Sequence, residues 1–302
     1  MTSAEGPVRE LTLCADDFGL HRGVSAGIAQ LVHAGRLSAV SCITNSADWL
    51  AAVPQLGKRP VGVALGLHIN LTEGRPLSPA LARVWPRLPS LPRLILLAHA
   101  GLLPRSALRA EMRAQLELFR VGTGVMPRHV DGHQHVHHLP VIRMLVMELV
   151  GAIVPAPAVR SAARLPGADF ALKRWLIQHT GAGALERQLV RRRLVHNRVL
   201  LGVYDFSDGD YGGRMRHWLS LLPASGGWLF CHPGLDSAQH DVHVDAIGGA
   251  RQRELAYLAS DRFLQDLDAA RVRLVPGRDL QANVQRRLTP KVSSRDSAVA
   301  SN

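Results

Sequence analysis

Residues 129–138 read His-Val-Asp-Gly-His-Gln-His-Val-His-His, placing five imidazoles and one carboxylate in ten positions of a 302-residue chain that has only 15 histidines. Side chains of an extended segment alternate faces, so this spacing puts His129, Asp131, His133, His135 and His137 on one side. Such a row of nitrogen and oxygen donors can hold a divalent metal; a run of ordinary surface or core histidines is the competing reading. Pro140 follows, and a residue with no N–H suits the first turn of a helix, so a helix is predicted to start there. The stretch therefore reads as the C-terminal end of a strand and the loop into a helix, where α/β folds place their chemistry.

The same arrangement recurs on either side. Residues 9–15 read as a buried strand that runs into Asp16-Asp17-Phe18-Gly19. Adjacent acids raise one another's pKa unless a cation or separate roles intervene, so the pair suggests one metal ligand and one base, with a plain turn as the alternative. Val24, Ile28, Leu31 and Val32 recur at helical spacing up to Gly35. A strand is predicted over 37–44, a short helix over 47–56, and a third strand over 61–67 that delivers His68. A proline-rich stretch, 76–104, surrounds a helix over 94–103, and Ser106 is the predicted N-cap of a helix over 107–121.

Beyond the Pro140 helix, 157–165 reads as a strand and loop carrying Arg160 and Arg164. The basic helical stretch 171–198 reads mostly as a solvated face. Residues 205–213 form an acidic turn without the spacing of a calcium loop. A strand over 228–231 ends in His232-Pro233-Gly234, followed by a helix over 253–267 and a last strand over 272–275. With no internal repeat, one barrel domain is expected over 1–281 and a disordered tail over 282–302.

Hydrophobic residues make up 47% of the chain, enough to bury the core of one large barrel or of two ordinary domains. Cys14, Cys42 and Cys231 are far apart and form no zinc-ribbon or redox pair, which suits a reduced, cytoplasmic setting. The first residues lack the basic start and apolar run of a signal peptide, and no stretch is long and apolar enough for a membrane helix. The net charge of +12 favours anionic partners: a phosphate-bearing substrate, a membrane surface touched peripherally, or nucleic acid. Nucleic acid is not expected, because aromatics are only 5% and are not interleaved with the basic runs.

Asp16/Asp17, His68, His133 and His232 all fall at predicted strand C-termini in a β/α alternation, and a barrel gathers those ends at one mouth. The expected fold is therefore α/β, a distorted (β/α) barrel. Two imidazoles and one carboxylate leave coordination positions for water and substrate, as a hydrolytic centre requires.

Four blocks carry a resemblance: Ala15-Asp16-Asp17-Phe18-Gly19-Leu20, Gly66-Leu67-His68-Ile69-Asn70-Leu71-Thr72, the histidine segment 129–137, and Cys231-His232-Pro233-Gly234. In that order they resemble the signature blocks of the YdjC/ChbG-like carbohydrate deacetylases, and the likeness runs from about Leu11 to Leu280, including the helix Arg251-Gln252-Arg253-Glu254-Leu255-Ala256-Tyr257-Leu258. The resemblance implies a distorted barrel related to the polysaccharide deacetylases of the glycoside hydrolase/deacetylase superfamily. It also implies removal of acetyl groups from N-acetylated amino sugars with a divalent metal. Members act on chito-oligosaccharides, and the hopanoid-associated HpnK-like branch on lipid-linked amino sugars.

By position, Asp17, His68 and His133 correspond to metal ligands, Asp16 to a general base and His232 to a general acid. Arg160 corresponds to an arginine that orients the site, and Asp131, His135 and His137 are left to support the ligands or contact the sugar. The family often has Glu four residues before the His-Pro-Gly histidine; Trp228 stands there. The resemblance points to magnesium, whereas imidazole ligands suit zinc or another transition metal. Two other functions fit parts of the pattern: a metal-dependent phosphoesterase, which the basic charge would suit, and a non-catalytic metal-dependent glycan-binding module. A single-metal site counts against the first, and the extra acid beside the ligand against the second.

Overall fold

The structure is a computed structural model and describes residues 7–57, 62–207, 209–235 and 245–275. Its strands are β1 (Arg9–Phe18), β2 (Ala39–Cys42), β3 (Ala64–Ile69), β4 (His129–Gly132), β5 (Ala158–Val159), β6 (Leu200–Leu201), β7 (Gly227–Cys231) and β8 (Val272–Leu274). They pair in parallel in the order β5-β4-β3-β2-β1-β7-β6. Leu11 pairs with both Gly227 and Leu274, so β8 lies along the edge of β1 that β2 occupies farther on, from Cys14.

The two ends of the sheet meet at a seam of scattered bonds rather than a ladder. The Val159 N–H donates to Val195 O (2.9 Å), the Ser161 N–H to Asn197 Oδ1 (2.7 Å) and the Leu200 N–H to Arg164 O (3.0 Å). This irregular closure distorts the α/β barrel predicted from the strand and helix alternation.

The helices are α1 (Arg22–His33), α2 (Trp49–Ala52), α3 (Pro79–Ala82), α4 (Leu91–His99), α5 (Arg105–Thr123), α6 (Ile142–Gly151), α7 (Ala171–Ile177), α8 (Gly183–Arg191), α9 (Tyr211–Leu221), α10 (Gly248–Ala259) and α11 (Asp261–Ala269). The helix predicted over 253–267 is two helices, broken at Ser260, whose extended backbone (φ −79°, ψ 160°) ends the first and starts the second. Ser106 lies inside α5, which begins at Arg105 after Pro104. The predicted tail from 282 lies outside the described residues.

Both faces of a helix-covered parallel sheet are buried, which explains strands that are apolar almost throughout. One row of side chains, including Leu11, Leu13, Val40, Leu65, Leu67, Val130 and Leu229, packs beneath the helices against Ile28, Leu31, Met112 and Leu145. The alternate row faces inward, with Cys14, Ala39, Ala64, Leu200, Trp228 and Phe230 in a smaller cluster. By the same two-residue period Asp16, Ser41, His68, Asp131, Arg160 and His232 continue the inner row toward the strand C-termini.

Candidate functional site

Asp16 belongs to the inner row of β1, and Asp17 would point outward if the strand continued. Instead Asp17 takes φ +73°, and the register of β1 on β2 slips between Ala15 and Phe18. This turn brings two consecutive carboxylates to the barrel mouth.

The alternation predicted for 129–137 holds only through Asp131. After Gly132 the chain coils into a 3-10 turn, His133–His138, with Gln134 (φ 52°) and His135 (φ 60°) in the left-handed region. The five predicted residues therefore do not share one face. His133 swings toward Asp17, with Nδ1 2.8 Å from Oδ1, whereas His137 turns back and donates from Nε2 to the Arg160 carbonyl (2.8 Å). His135 rests edge-on against Phe230, ring centroids 5.4 Å apart. The helix expected at Pro140 starts at Ile142, after Val141 takes φ 68°. Left-handed non-glycine residues cost energy and persist only where the surroundings impose them, a pattern concentrated at functional sites.

His68 donates from Nδ1 to Asp131 Oδ1 (2.6 Å), which fixes its tautomer and turns Nε2 toward Asp17 Oδ1 at 3.4 Å. One ligand atom each from Asp17, His68 and His133 lies within 4.8 Å of the others, and all three side chains are buried. Ligands about 2 Å from a common ion sit roughly 3–3.5 Å apart in tetrahedral geometry, so this cluster is close to the required spacing. His133 Nε2 is buried and lies 3.1 Å from Glu73 Oε1, off the hydrogen-bond direction.

The electrostatics favour positive charge at this point. Burial alone would depress both imidazoles, but Asp131 and Asp16 lift His68 to about 10, and Asp17 with Glu73 lifts His133 to about 9. Burial also opposes the charge on Asp17, yet His133 and Arg251 hold its carboxyl well below the usual carboxylate range.

In two neighbouring groups, Cys14/His129/Asp131 and Asp16/His68/Asp131, the ligand atoms also lie within 4.8 Å of one another, and a protein cation serves the carboxylates of both. Arg160, fully buried, reaches Asp16 Oδ2 (2.5 Å) and Oδ1 (2.7 Å) and Asp131 Oδ2 (2.7 Å). Ser41 Oγ donates to Asp131 Oδ2 (2.7 Å) and accepts from His129 Nε2 (2.9 Å). Burial pushes the Cys14 thiol up and His129 down to about 4, leaving both neutral. At Asp17, His68 and His133 the protein cation, Arg251, takes only the far oxygen of Asp17, and both imidazoles face the other oxygen. Trp228, at the position where Glu was expected, lies beneath the Arg160 guanidinium at 5.2 Å and against His129 at 5.0 Å. It walls the arginine in with an aromatic ring.

His129 has room only because residue 66 is glycine, where a Cβ would sit 2.0 Å from His129 Nε2. Gly66→Ala is expected to destabilise the fold by about 1–3 kcal/mol, as overpacking does, measured as a fall in the urea midpoint with unchanged slope.

Two site residues escaped the reading of individual residues. Arg251 donates to Asp17 Oδ2 (2.8 Å) and to Asp245 Oδ2 (2.6 Å), and Glu254 accepts the His232 backbone N–H (2.5 Å) and the Tyr204 hydroxyl (2.5 Å). Both belong to the buried row of α10 with Ala250, Leu255 and Leu258. Charged residues in the apolar stripe of a helix were the available signal. Burial pushes His232 down to about 4, and its ring sits between Phe206 (5.2 Å) and Phe230 (5.5 Å).

Burial raises Glu254 from 4.5 to about 7. A folded pKa above the unfolded value makes the favourable contribution complete below about 4.5 and lost as pH rises through about 7. The stability difference between wild type and Glu254→Gln is therefore expected to move in the variant's favour across that interval. Denaturant melts at several pH values check this; a difference that does not change with pH contradicts it.

The model of the YdjC-like protein family matches residues 10–269. The chain belongs to the YdjC-like family. This YdjC-like chain is 35% identical over 145 residues to a chitooligosaccharide deacetylase of Proteus mirabilis, covering 46% of this chain and 54% of that one. It is 36% identical over 154 residues to a carbohydrate deacetylase of Homo sapiens, covering 48% of this chain and 46% of that one. The chain spans about half the length of the curated relatives it matches. Among solved structures it is similar to an Enterococcus faecalis V583 protein whose name proposes cellobiose-phosphate cleavage. That likeness has a TM-score of 0.68 at 18% identity and covers 91% of this chain and 99% of that one. At that identity the likeness is one of fold.

Proposed function

We propose that this chain is a metal-dependent hydrolase that removes the acetyl group from an N-acetylated amino sugar. The observation that carries the reading is the meeting of Asp17, His68 and His133 beside a second carboxylate, Asp16, that has its own cation in Arg160. Binding alone would need no second acid. The names of the curated relatives support the substrate class.

An ion held by Asp17, His68 and His133 would acidify water and polarise the acetyl carbonyl. Two imidazoles and a carboxylate suit zinc, iron or cobalt better than magnesium. Asp131 orients His68, and Arg251 holds the far oxygen of Asp17. Asp16, clamped by Arg160, takes the proton of the attacking water. Burial keeps His232 neutral, and its Nδ1 has no partner among the described residues, so it would act as the acid by receiving the proton that Asp16 has taken from water and passing it to the departing nitrogen. His135 and His137 shape the turn that presents His133. Buried Cys14, Cys42 and Cys231 agree with a reducing compartment such as the cytoplasm. Among the described residues no helix is long and apolar enough to cross a membrane.

Mass spectrometry of chito-oligosaccharides and acetylated amino-sugar lipids incubated with the protein tests the reading. Loss of one acetyl group is expected, abolished by chelator and restored by a divalent ion, and Asp17→Ala is expected to lower bound metal in elemental analysis. Release of phosphate from p-nitrophenyl phosphate with no acetate from any sugar would replace it with the phosphoesterase reading.

A further inference from the structure

Helix α7 is exceptional in burying none of its residues. Leu172 is 71% exposed, Trp175 52% and Leu176 48%, at the spacing that gives them one helix face, and His179 extends that face by stacking on Trp175 at 4.5 Å. A π-helical turn, Gln178–Ala182, joins α7 to α8. Gly181 (φ 138°) kinks the chain within that turn, so Ile177 and Ala182 pack on the smaller inner cluster and Leu185 and Leu189 in the larger core, while α8 leaves Arg187, Val190 and Arg191 exposed, with exposed Arg192 and Arg193 just beyond. From 171 to 198 the ionisable residues other than histidine are Lys173, Arg174, Arg187, Arg191, Arg192, Arg193 and Arg198 against the single acid Glu186. Glu186 itself lies 3.3 Å from Arg164.

Exposed leucines and an indole on α7, followed by exposed arginines on and after α8, match the chemistry of an anionic bilayer, with apolar groups for the acyl boundary and guanidinium groups for lipid phosphates. We propose that the outward face of α7 and α8 docks the protein on an anionic lipid membrane. The inner side of the same helix is tied to the rim of the site. Lys173 Nζ donates to the Tyr204 carbonyl (2.5 Å) and lies 4.4 Å over the Phe206 ring, which itself packs against His232. A bilayer on this face therefore lies beside the barrel mouth. The docking stands on surface residues alone and holds whatever bond the site cleaves.

Co-sedimentation of the full chain with phosphatidylcholine vesicles, with and without phosphatidylglycerol, tests the proposal. Binding is expected only to the anionic vesicles and to weaken as salt is raised. Arg191→Gln/Arg192→Gln/Arg193→Gln is expected to bind on the order of a hundredfold more weakly. Leu172→Ser/Trp175→Ser/Leu176→Ser is expected to lose at least about tenfold. Both variants alter exposed positions and are expected to keep the wild-type melting temperature and acetate release from soluble sugar. Equal binding to neutral and anionic vesicles, or anionic binding unchanged in either variant, overturns the proposal. So does a concentration-dependent dimer in sedimentation velocity that the apolar variant abolishes, which would assign the face to a second copy of the chain.

Discussion

Asp16→Asn is expected to lower the turnover of acetate release by roughly 10²–10⁴-fold, the range a positioned general base contributes, while bound metal stays at the wild-type level. Asparagine has the shape of aspartate and keeps one oxygen for the Arg160 fork, so the geometry survives, but it takes no proton from water. The proposed ligand Asp17 has its own partners, with His133 on one oxygen and Arg251 on the other. Removing the neighbouring charge therefore leaves the ion's seat in place. Steady-state kinetics beside elemental analysis separates the two effects. Turnover near wild type would remove Asp16 from its role, and a parallel loss of metal would make it a ligand instead.

Arg160→Met is expected to cost about 3–5 kcal/mol of folding stability, the usual penalty for removing one partner of a buried charge pair. The guanidinium is fully buried, and it sits against both Asp16 and Asp131, which have little access to solvent. Methionine fills a similar volume but leaves two carboxylates facing each other in a low dielectric. The carbonyl that accepts from His137 belongs to the backbone and is unaffected. Adding Asp131→Asn is expected to recover part of the loss, because the two changes share one network and do not add. Urea unfolding of both variants measures this; a cost below about 1 kcal/mol for the single change would mean that the arginine is not the counter-charge.

Chemistry was the most legible part of this chain. Histidine density at 129–138, the Asp16-Asp17 pair and single histidines at predicted strand ends point to one metal-binding mouth, and β/α alternation points to the barrel that forms it. Burial on both faces makes these strands recognisable, since nearly every residue in them is apolar. Side-chain direction within the turns was much less legible. Alternation predicts that His133, His135 and His137 align with Asp131, but left-handed backbone at 134 and 135 sends them three ways. A period-two rule has no term for a chain that leaves the strand at Gly132.

Arg251 and Glu254 show the other gap, since they reach the site from α10, more than 200 residues after the acid they serve, Asp17, or 22 residues after the His232 backbone they hold. By itself the sequence determined the residue types, the strand ends on which they sit and the α/β class, because periodicity and composition are local properties of the chain. Only the tertiary structure decided which carboxylate meets an imidazole and which meets an arginine. That choice depends on a positive φ at Asp17, a coil after Gly132 and packing between distant elements, and no local pattern encodes those distances.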